Sequence, residues 1–274
     1  MPTLYAVIGH PVKHSLSPFI HAAFAAQTGQ DVQYERLLAP LDDFAGTLAQ
    51  FRARGGQGAN VTVPFKQTAF ALADIHRPRA RLAQAANTLL FTERGLEADN
   101  TDGAGLVNDL CRNLDFHPAG TRILLLGAGG AARGAAVALL AEQPAQLVVV
   151  NRTTARAQEL AQQLSGLGRI EAHESAQLTG QAFDCVINAT AASLAGESIL
   201  LPTGLFADGS LAYDMMYGDA ASAFLAAARE HGASRVSDGL GMLVEQAALS
   251  FALWRQETPE TAPVLQQLRA RLRG

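Results

Sequence analysis

The chain has 274 residues, 49% hydrophobic and 17% charged, with a formal net charge of −4. That length supports a sizeable core and favours two domains over one. No apolar tract is long enough to span a membrane, and scattered Lys and Arg under a net negative charge argue against a nucleic-acid surface.

Leu4–Ile8 reads as a strand. It is too short for a signal-peptide core and is broken by Gly9-His10-Pro11, so the natural compartment is the cytoplasm. Ser17-Pro18 is a helix start, with serine at the N-cap and proline where no donor is needed, and the helix stops near Gly29. Val32–Leu38 is a second strand. Leu41–Phe51 carries apolar residues at a helical period and ends at Gly55-Gly56. Ala59–Val63 follows as a strand, then Leu89–Phe91 and Leu96–Ala98 as a short hairpin. The only two cysteines, Cys111 and Cys185, form neither a disulfide framework nor a structural zinc site, and their apolar surroundings suit small core residues.

The pattern changes after Asp102, and a domain boundary falls near residue 103. Gly105–Leu114 reads as a helix. A βαβ rhythm follows, with a strand over 122–126, a helix over 131–141, a strand at Leu147–Val150, a helix at Thr154–Leu164, and strands at Cys185–Asn188 and Leu211–Met215. Apolar strands without alternation indicate a parallel sheet covered on both faces. Leu240–Trp254 and Ala262–Leu272 are helical.

Within that rhythm Gly127, Gly129 and Ala132 occupy the Gly-x-Gly-x-x-Gly/Ala positions between an apolar strand and an alanine-rich helix. The first permits a tight turn, the second lets backbone approach a pyrophosphate, and the third lets helix and strand pack closely. Amides at the helix start face the anion. Glycines also end strands for structural reasons, but the strand–turn–helix context selects dinucleotide binding. The next strand ends in Asn151-Arg152-Thr153, where an NAD site places an acid for the ribose hydroxyls. A guanidinium stands there instead, with Arg156 one turn on, and an arginine fork holds a 2′-phosphate that an acid would repel. Against the bland alternative of a solvated helix start, this predicts NADP.

Two polar segments complete the picture: Asn60-Val61-Thr62-Val63-Pro64-Phe65-Lys66 and Asp99-Asn100-Thr101-Asp102-Gly103. The first offers Lys66 and the second Asp102, each flanked by residues able to bind a hydroxylated substrate. An acid–base couple alongside a dinucleotide turn points to a dehydrogenase. Lysine at a helix start is also an ordinary surface residue, and Asp102 could simply cap the following helix. Spacing alone does not bring the two together.

The ordered set of motifs resembles the shikimate dehydrogenase family over nearly the whole chain. Ser15 and Ser17 in Ser15-Leu16-Ser17-Pro18 look like the family's substrate-carboxylate pair. Thr62 and Lys66 match its substrate threonine and catalytic lysine, Asn87 a ligand of substrate hydroxyls, and Asp102 the aspartate partnered with the lysine. Gly127, Ala128, Gly129, Gly130 and Ala131, with Asn151, Arg152, Thr153 and Arg156, match the cofactor loops. Met215 is similar to a nicotinamide-side methionine and Tyr217 to a substrate-side tyrosine; Gly239 and Gln246 match positions near nicotinamide and substrate. Two loops depart from the family pattern: Ala191, Ala192 and Ser193 replace its serine and glycine, and Gly218–Ser222 lacks its proline and threonine.

The resemblance implies an α/β fold: a substrate domain over 1–103, a Rossmann-type doubly wound NADP-binding domain over 104–237, and helices over 238–274 packing back on the first. It implies reversible NADPH-dependent reduction of 3-dehydroshikimate to shikimate, without a metal, in a cytoplasmic monomer or homodimer whose partners are small molecules. A paralogue that also oxidises quinate is the nearest alternative. A non-catalytic NADP sensor on the same fold is disfavoured by intact Lys66 and Asp102.

Overall fold

The computed structural model describes residues 2–190 and 201–273. The chain forms two compact units, one of residues 1–102 and 244–274, the other of residues 103–243. In the first, β1 (Thr3–Gly9), α1 (Ser17–Thr28), β2 (Val32–Leu38), α2 (Phe44–Ala53), β3 (Gly56–Val61), α3 (Lys66–Leu72), β4 (Ile75–His76), α4 (Pro78–Ala83), β5 (Thr88–Thr92) and β6 (Gly95–Asp99) follow one another. The second begins within α5 (Asp102–Asn108). It continues through a π-helical turn at Asp109–Asn113, then β7 (Arg122–Leu126), α6 (Gly130–Ala141), β8 (Gln146–Val150), α7 (Thr154–Leu164), β9 (Ile170–Ala172), β10 (Phe183–Asn188), β11 (Phe206–Asp214), α8 (Asp219–Glu230) and β12 (Arg235–Ser237). From within α9 (Leu240–Arg255) the chain belongs to the first unit again, ending in α10 (Ala262–Arg273).

The first unit is built on a mixed sheet of order β2-β1-β3-β5-β6-β4. β2, β1 and β3 run parallel, while β5 pairs antiparallel with both β3 and β6. On one face Ala6, Ile8, Phe44, Leu48, Phe51, Ala59, Val61 and Phe65 make a continuous buried cluster. A separate aromatic group joins Tyr5, His21, Tyr34 and Trp254, with Tyr5 stacked on Trp254 at 4.5 Å and His21 on Tyr34 at 4.2 Å. Two local signals differ from the sequence expectation. Leu16, not Ser17, precedes α1, so Ser17 is its first helical residue and leaves the hydroxyl uncommitted to capping. Asp43 caps α2 by accepting from the Gly46 N–H at 2.8 Å, which starts that helix later than the apolar period suggests.

The second unit is an all-parallel sheet of order β12-β11-β10-β7-β8-β9. The chain winds outward from β7 through β8 to β9, then restarts at β10 on the other side. This doubly wound order has its topological switch point between β7 and β10, where such sheets bind ligands beyond the strands' carboxyl ends. The unbroken apolar run of β7 is explained by two covers: Ile123 and Leu125 join Ala132, Ala135 and Leu139 of α6 on one face, while Leu124 and Leu126 join Phe224 and Ala228 of α8 on the other. Burying each of the large aliphatic side chains among these stabilises the fold by about 1.5–3 kcal/mol. Cys185 is fully buried in this core, but Cys111 is only partly covered, because it lies on the π-helical turn rather than in a regular helix face.

Candidate active site

In the first unit the predicted pair meets. Lys66 opens α3 and Asp102 opens α5, and Lys66 Nζ lies 2.6 Å from Asp102 Oδ2. The Asp102 carboxylate is therefore turned towards the lysine rather than capping its own helix. Its other oxygen, Oδ1, accepts from Asn87 Nδ2 at 2.8 Å. The Asn87 amide is oriented unambiguously: the Thr101 N–H, which can only donate, lies 2.8 Å from Oδ1, so Nδ2 must face the carboxylate. The same Nδ2 lies 2.8 Å from Thr101 Oγ1 and 3.1 Å from Gln246 Oε1. Lys66, Asp102, Asn87 and Gln246 thus form one hydrogen-bonded group, as the motifs anticipated separately.

The backbone leading to Asp102 is held by charge. Asp99, 2% exposed, receives a fork from Arg79 at 3.1 and 2.5 Å and accepts the Asn100 N–H at 2.8 Å. Asn100 in turn donates to the Ala85 carbonyl and accepts the Asp102 N–H. Paired, multiply bonded carboxylates of this kind fix geometry more than they add net stability.

Behind the group lies a buried polar layer whose contacts sequence reading missed. Asn60 Nδ2 donates to Ser250 Oγ at 3.0 Å and Thr88 Oγ1 at 3.3 Å, Thr88 and Ser250 hydroxyls are 2.7 Å apart, and Tyr34 donates to Asn60 Oδ1 at 2.7 Å. Thr88 and Thr101 adjoin predicted residues in sequence, and Ser250 stands one helical turn beyond Gln246, so helical spacing was the available signal.

Ser15 and Ser17 lie together, the Ser15 hydroxyl 3.2 Å from Ser17 Oγ, and the Ser15 carbonyl takes two bonds from Arg36 at 3.0 and 2.6 Å. Among the described residues this pair makes no hydrogen bond to Lys66 or Asp102. Thr62 follows β3, half-buried, with its N–H on the Ile8 carbonyl at 3.0 Å.

The second unit offers a site made of backbone. Gly127 has φ of 110°, a conformation that needs glycine, and its N–H bonds the Val150 carbonyl at 2.7 Å, tying the turn to the end of β8. Among the described residues nothing lies within 4 Å of where a side chain would begin at Gly129 or Gly130, and no side chain caps α6. The first-turn amides of that helix, with Ala128 half-buried and Ala131 exposed beside them, are able to face an anion. At the end of β8, Asn151 Nδ2 bonds the Thr153 carbonyl at 3.0 Å, and Arg152 and Arg156 are exposed at the start of α7. This donor set suits a dinucleotide with a 2′-phosphate.

Met215 and Tyr217 follow β11, both half-buried, and burial pushes the Tyr217 phenol up. Gly239 is fitted to that loop: its N–H bonds the Met216 carbonyl at 2.8 Å, and a Cβ there would lie 2.4 Å from the Met215 carbonyl oxygen. Ala191, Ala192 and Ser193 lie outside the described residues.

Residues 7–89 match the family described as shikimate dehydrogenase substrate binding domain, 111–198 that described as shikimate/quinate 5-dehydrogenase, and 239–269 that described as shikimate 5′-dehydrogenase C-terminal domain. Shikimate dehydrogenase (NADP(+)) of Dechloromonas aromatica is 55% identical over 272 residues, covering 99% of each chain. An Ael1 enzyme from Pseudomonas putida superposes with a TM-score of 0.90 at 45% identity, over 97% of this chain and 98% of that one. Shikimate 5-dehydrogenase of Thermus thermophilus, solved with NADP(H) and shikimate, gives 0.84 at 33% identity, over 98% and 99%.

A doubly wound sheet with an NADP-type turn, joined in one chain to a lysine–aspartate couple, defines an NADP-linked oxidoreductase. Within that class the chain belongs to the shikimate dehydrogenase family.

Proposed function

We propose that the protein interconverts 3-dehydroshikimate and shikimate with NADP(H), using Lys66 and Asp102 as a single catalytic unit. The observation that carries this reading is the 2.6 Å contact between Lys66 and Asp102, with Asn87 on the second carboxylate oxygen. When bound, NADPH would supply the hydride that the carbonyl carbon receives. Lys66 then meets the negative charge growing on the carbonyl oxygen and gives it a proton; positioned groups of this kind contribute about 10²–10⁴ in rate. Asp102 aims the ammonium and accepts from a neighbouring substrate hydroxyl. Ser15 and Ser17 donate to the substrate carboxylate, and Thr62, Asn87, Tyr217 and Gln246 meet the ring hydroxyls.

For the cofactor, Gly127, Ala128, Gly129, Gly130 and Ala131 would cradle the pyrophosphate. Asn151, Thr153, Arg152 and Arg156 would hold the phosphorylated ribose, with Met215 and Gly239 on the nicotinamide side. Residues 1–103 with the C-terminal helices form the substrate domain in this reading, and 104–237 the NADP domain. Two free cysteines among the described residues suit a cytoplasmic enzyme.

The match to a family described as shikimate/quinate 5-dehydrogenase keeps quinate in view as a second substrate. Quinate carries an extra hydroxyl on the carbon bearing its carboxylate, and hydroxyl groups at both Ser15 and Ser17 favour shikimate. The test is NADP⁺ reduction with shikimate and with quinate, repeated with NAD⁺. Shikimate with NADP⁺ should give the highest kcat/KM; absence of turnover with shikimate would remove the reading, and faster turnover of quinate would reassign the substrate.

A further inference from the structure

One buried carboxyl has no part in the reaction as described. Asp214 ends β11 fully covered, and its described partners are both N–H donors: Asn188 Nδ2 at 2.8 Å on Oδ2 and the Met216 N–H at 2.8 Å on Oδ1. Burial, with Asp238 nearby, pushes its carboxyl up to about 6, so the charge is held there against the cost of desolvation. Asp238 itself accepts the Gly218 and Leu240 N–H groups at 3.0 and 3.3 Å.

Asn188, the register neighbour of Asp214 at the end of β10, is equally buried. Its Oδ1 accepts the Thr190 N–H at 3.0 Å and the Thr190 hydroxyl at 2.7 Å, which fixes the amide with Nδ2 towards Asp214. Its carbonyl accepts the Met215 N–H at 2.9 Å. Thr190 in turn abuts the glycine turn, since a Cβ at Gly127 would lie 3.2 Å from Thr190 Cγ2. On the far side Gly239 bonds the Met216 carbonyl. The pair thus joins the carboxyl ends of two neighbouring strands, one beside the dinucleotide turn and the other carrying Met215 and Tyr217.

We propose that Asn188 and Asp214 are positioning residues, a clamp that fixes the Met215–Tyr217 backbone against the glycine turn and so sets where the nicotinamide lies. The proposal rests on the reading that Met215, Tyr217 and Gly239 line the nicotinamide side. Its chemistry is directional. Position 214 must present two acceptors, because Asn188 Nδ2 and the Met216 N–H both donate. Asparagine at 214 offers one acceptor and sets its own NH₂ against that of Asn188. Exchanging the two, Asn188→Asp with Asp214→Asn, reverses the polarity and keeps every hydrogen bond: the carboxylate at 188 accepts from Thr190 and from the new amide, whose oxygen accepts the Met216 N–H.

The experiment compares the wild type, Asp214→Asn and the exchange variant. The readouts are steady-state kinetics and the dissociation constants of NADP⁺ and of adenosine 2′,5′-bisphosphate, which lacks the nicotinamide half. Displacing reacting groups by a fraction of their contact distance should lower kcat of Asp214→Asn about tenfold or more. Binding of the bisphosphate should stay within about twofold of wild type, so that NADP⁺ loses its affinity advantage over it. The exchange variant, which spares the fold, should recover most of the loss in both readouts. Wild-type kinetics and NADP⁺ affinity in Asp214→Asn would overturn the clamp. So would an exchange variant no better than the single one, or bisphosphate binding lost in step with kcat, which marks a purely structural pair. A wild type inactive on shikimate would sink the reading of function instead, and the two dissociation constants would still judge the clamp.

Discussion

The two units build their functional ends by opposite means. In the first, chemistry is carried by side chains: Lys66, Asp102, Asn87 and Gln246 bond one another, and a hidden layer of Asn60, Thr88, Thr101 and Ser250 orients them. In the second, the site is mostly main chain: a glycine turn at φ of 110°, the uncapped amides of α6 and a loop against Gly239. A side-chain site fails when one group is removed, because its neighbours lose their partner. A main-chain site fails when atoms are added, because its function is close approach. Perturbing each unit by deletion and by addition separates the two designs.

The largest effect should come from deletion in the first unit. Lys66→Ala is expected to lower kcat by about 10²–10⁴ with little change in the KM for shikimate, since the lysine serves charge that develops only in the transition state. Asp102→Asn should also be severe. The double variant should fall far short of the product of the singles, because the two act as one unit. Near-normal turnover by Lys66→Ala would take the lysine out of the mechanism. In the second unit the corresponding deletion touches only the phosphate. Arg152→Ala loses a charge-assisted contact worth about 1.5–3 kcal/mol, so NADP⁺ should weaken roughly ten- to a hundredfold while NAD⁺ is almost unaffected. Adding Asn151→Asp should move preference towards NAD⁺. Kinetics on both cofactors at low and high salt decide it, and equal loss on both would give Arg152 a role in the fold instead.

These contrasts also explain what could be read from the amino acids. In the second unit β7, β8, β10 and β11 were legible, while the short β9 and β12 and helix α8 were not; βαβ rhythm, apolar runs and the spacing of Gly127, Gly129 and Ala132 are local consequences of backbone geometry. Arg152 was legible for the same reason: the end of β8 is a fixed place, and an acid is missing from it. In the first unit β1, α1, β2, α2, β3 and the β5–β6 hairpin were legible too, but its site was not. Lys66 and Asp102 stand far apart in sequence, each with an ordinary explanation as a helix-start residue, and only tertiary folding brings them to 2.6 Å. Family resemblance supplied that pairing where spacing could not. Short elements such as β4 and α4 escaped because two or six residues carry no measurable period. Ser250 escaped because a buried hydroxyl in an apolar stretch announces nothing until its partners are known.

Addition should hurt the second unit selectively. Gly127→Ala forces a non-glycine residue into a left-handed conformation, at a cost of about 1–3 kcal/mol, and sets its methyl 3.2 Å from the Ala189 carbonyl and Thr190. The KM for NADP⁺ should rise several-fold while the KM for shikimate holds. A rise in the shikimate KM alone would contradict the division of labour between the units.

The smallest effect sharpens the comparison from inside the first unit. Its buried polar side chains are nearly all bonded, yet His21 is fully buried, stacked on Tyr34, and among the described residues neither ring nitrogen has a hydrogen-bond partner in good geometry. Burial lowers its pKa from 6.5 to about 3. The unfolded chain therefore binds more protons than the native one between those values, and stability is lost as pH falls below 6.5. By pH 6 the loss from this group should be about 1 kcal/mol, growing as the solution becomes more acidic. Asp214 works the other way: its raised pKa lets the native state hold a proton up to about pH 6, so its contribution declines as pH rises from 3.8. The acid branch of the wild-type stability curve sums the two and hides each. The difference between wild type and His21→Phe, measured by denaturant unfolding at pH 8 and pH 6, cancels Asp214 and isolates His21. Phenylalanine keeps the aromatic stack without a titrating nitrogen, so the variant should gain about 1 kcal/mol on the wild type between the two pH values, whatever its offset at pH 8. A difference that stays constant with pH would mean that His21 can take up its proton in the folded state, by finding a partner for the imidazolium within the aromatic cluster.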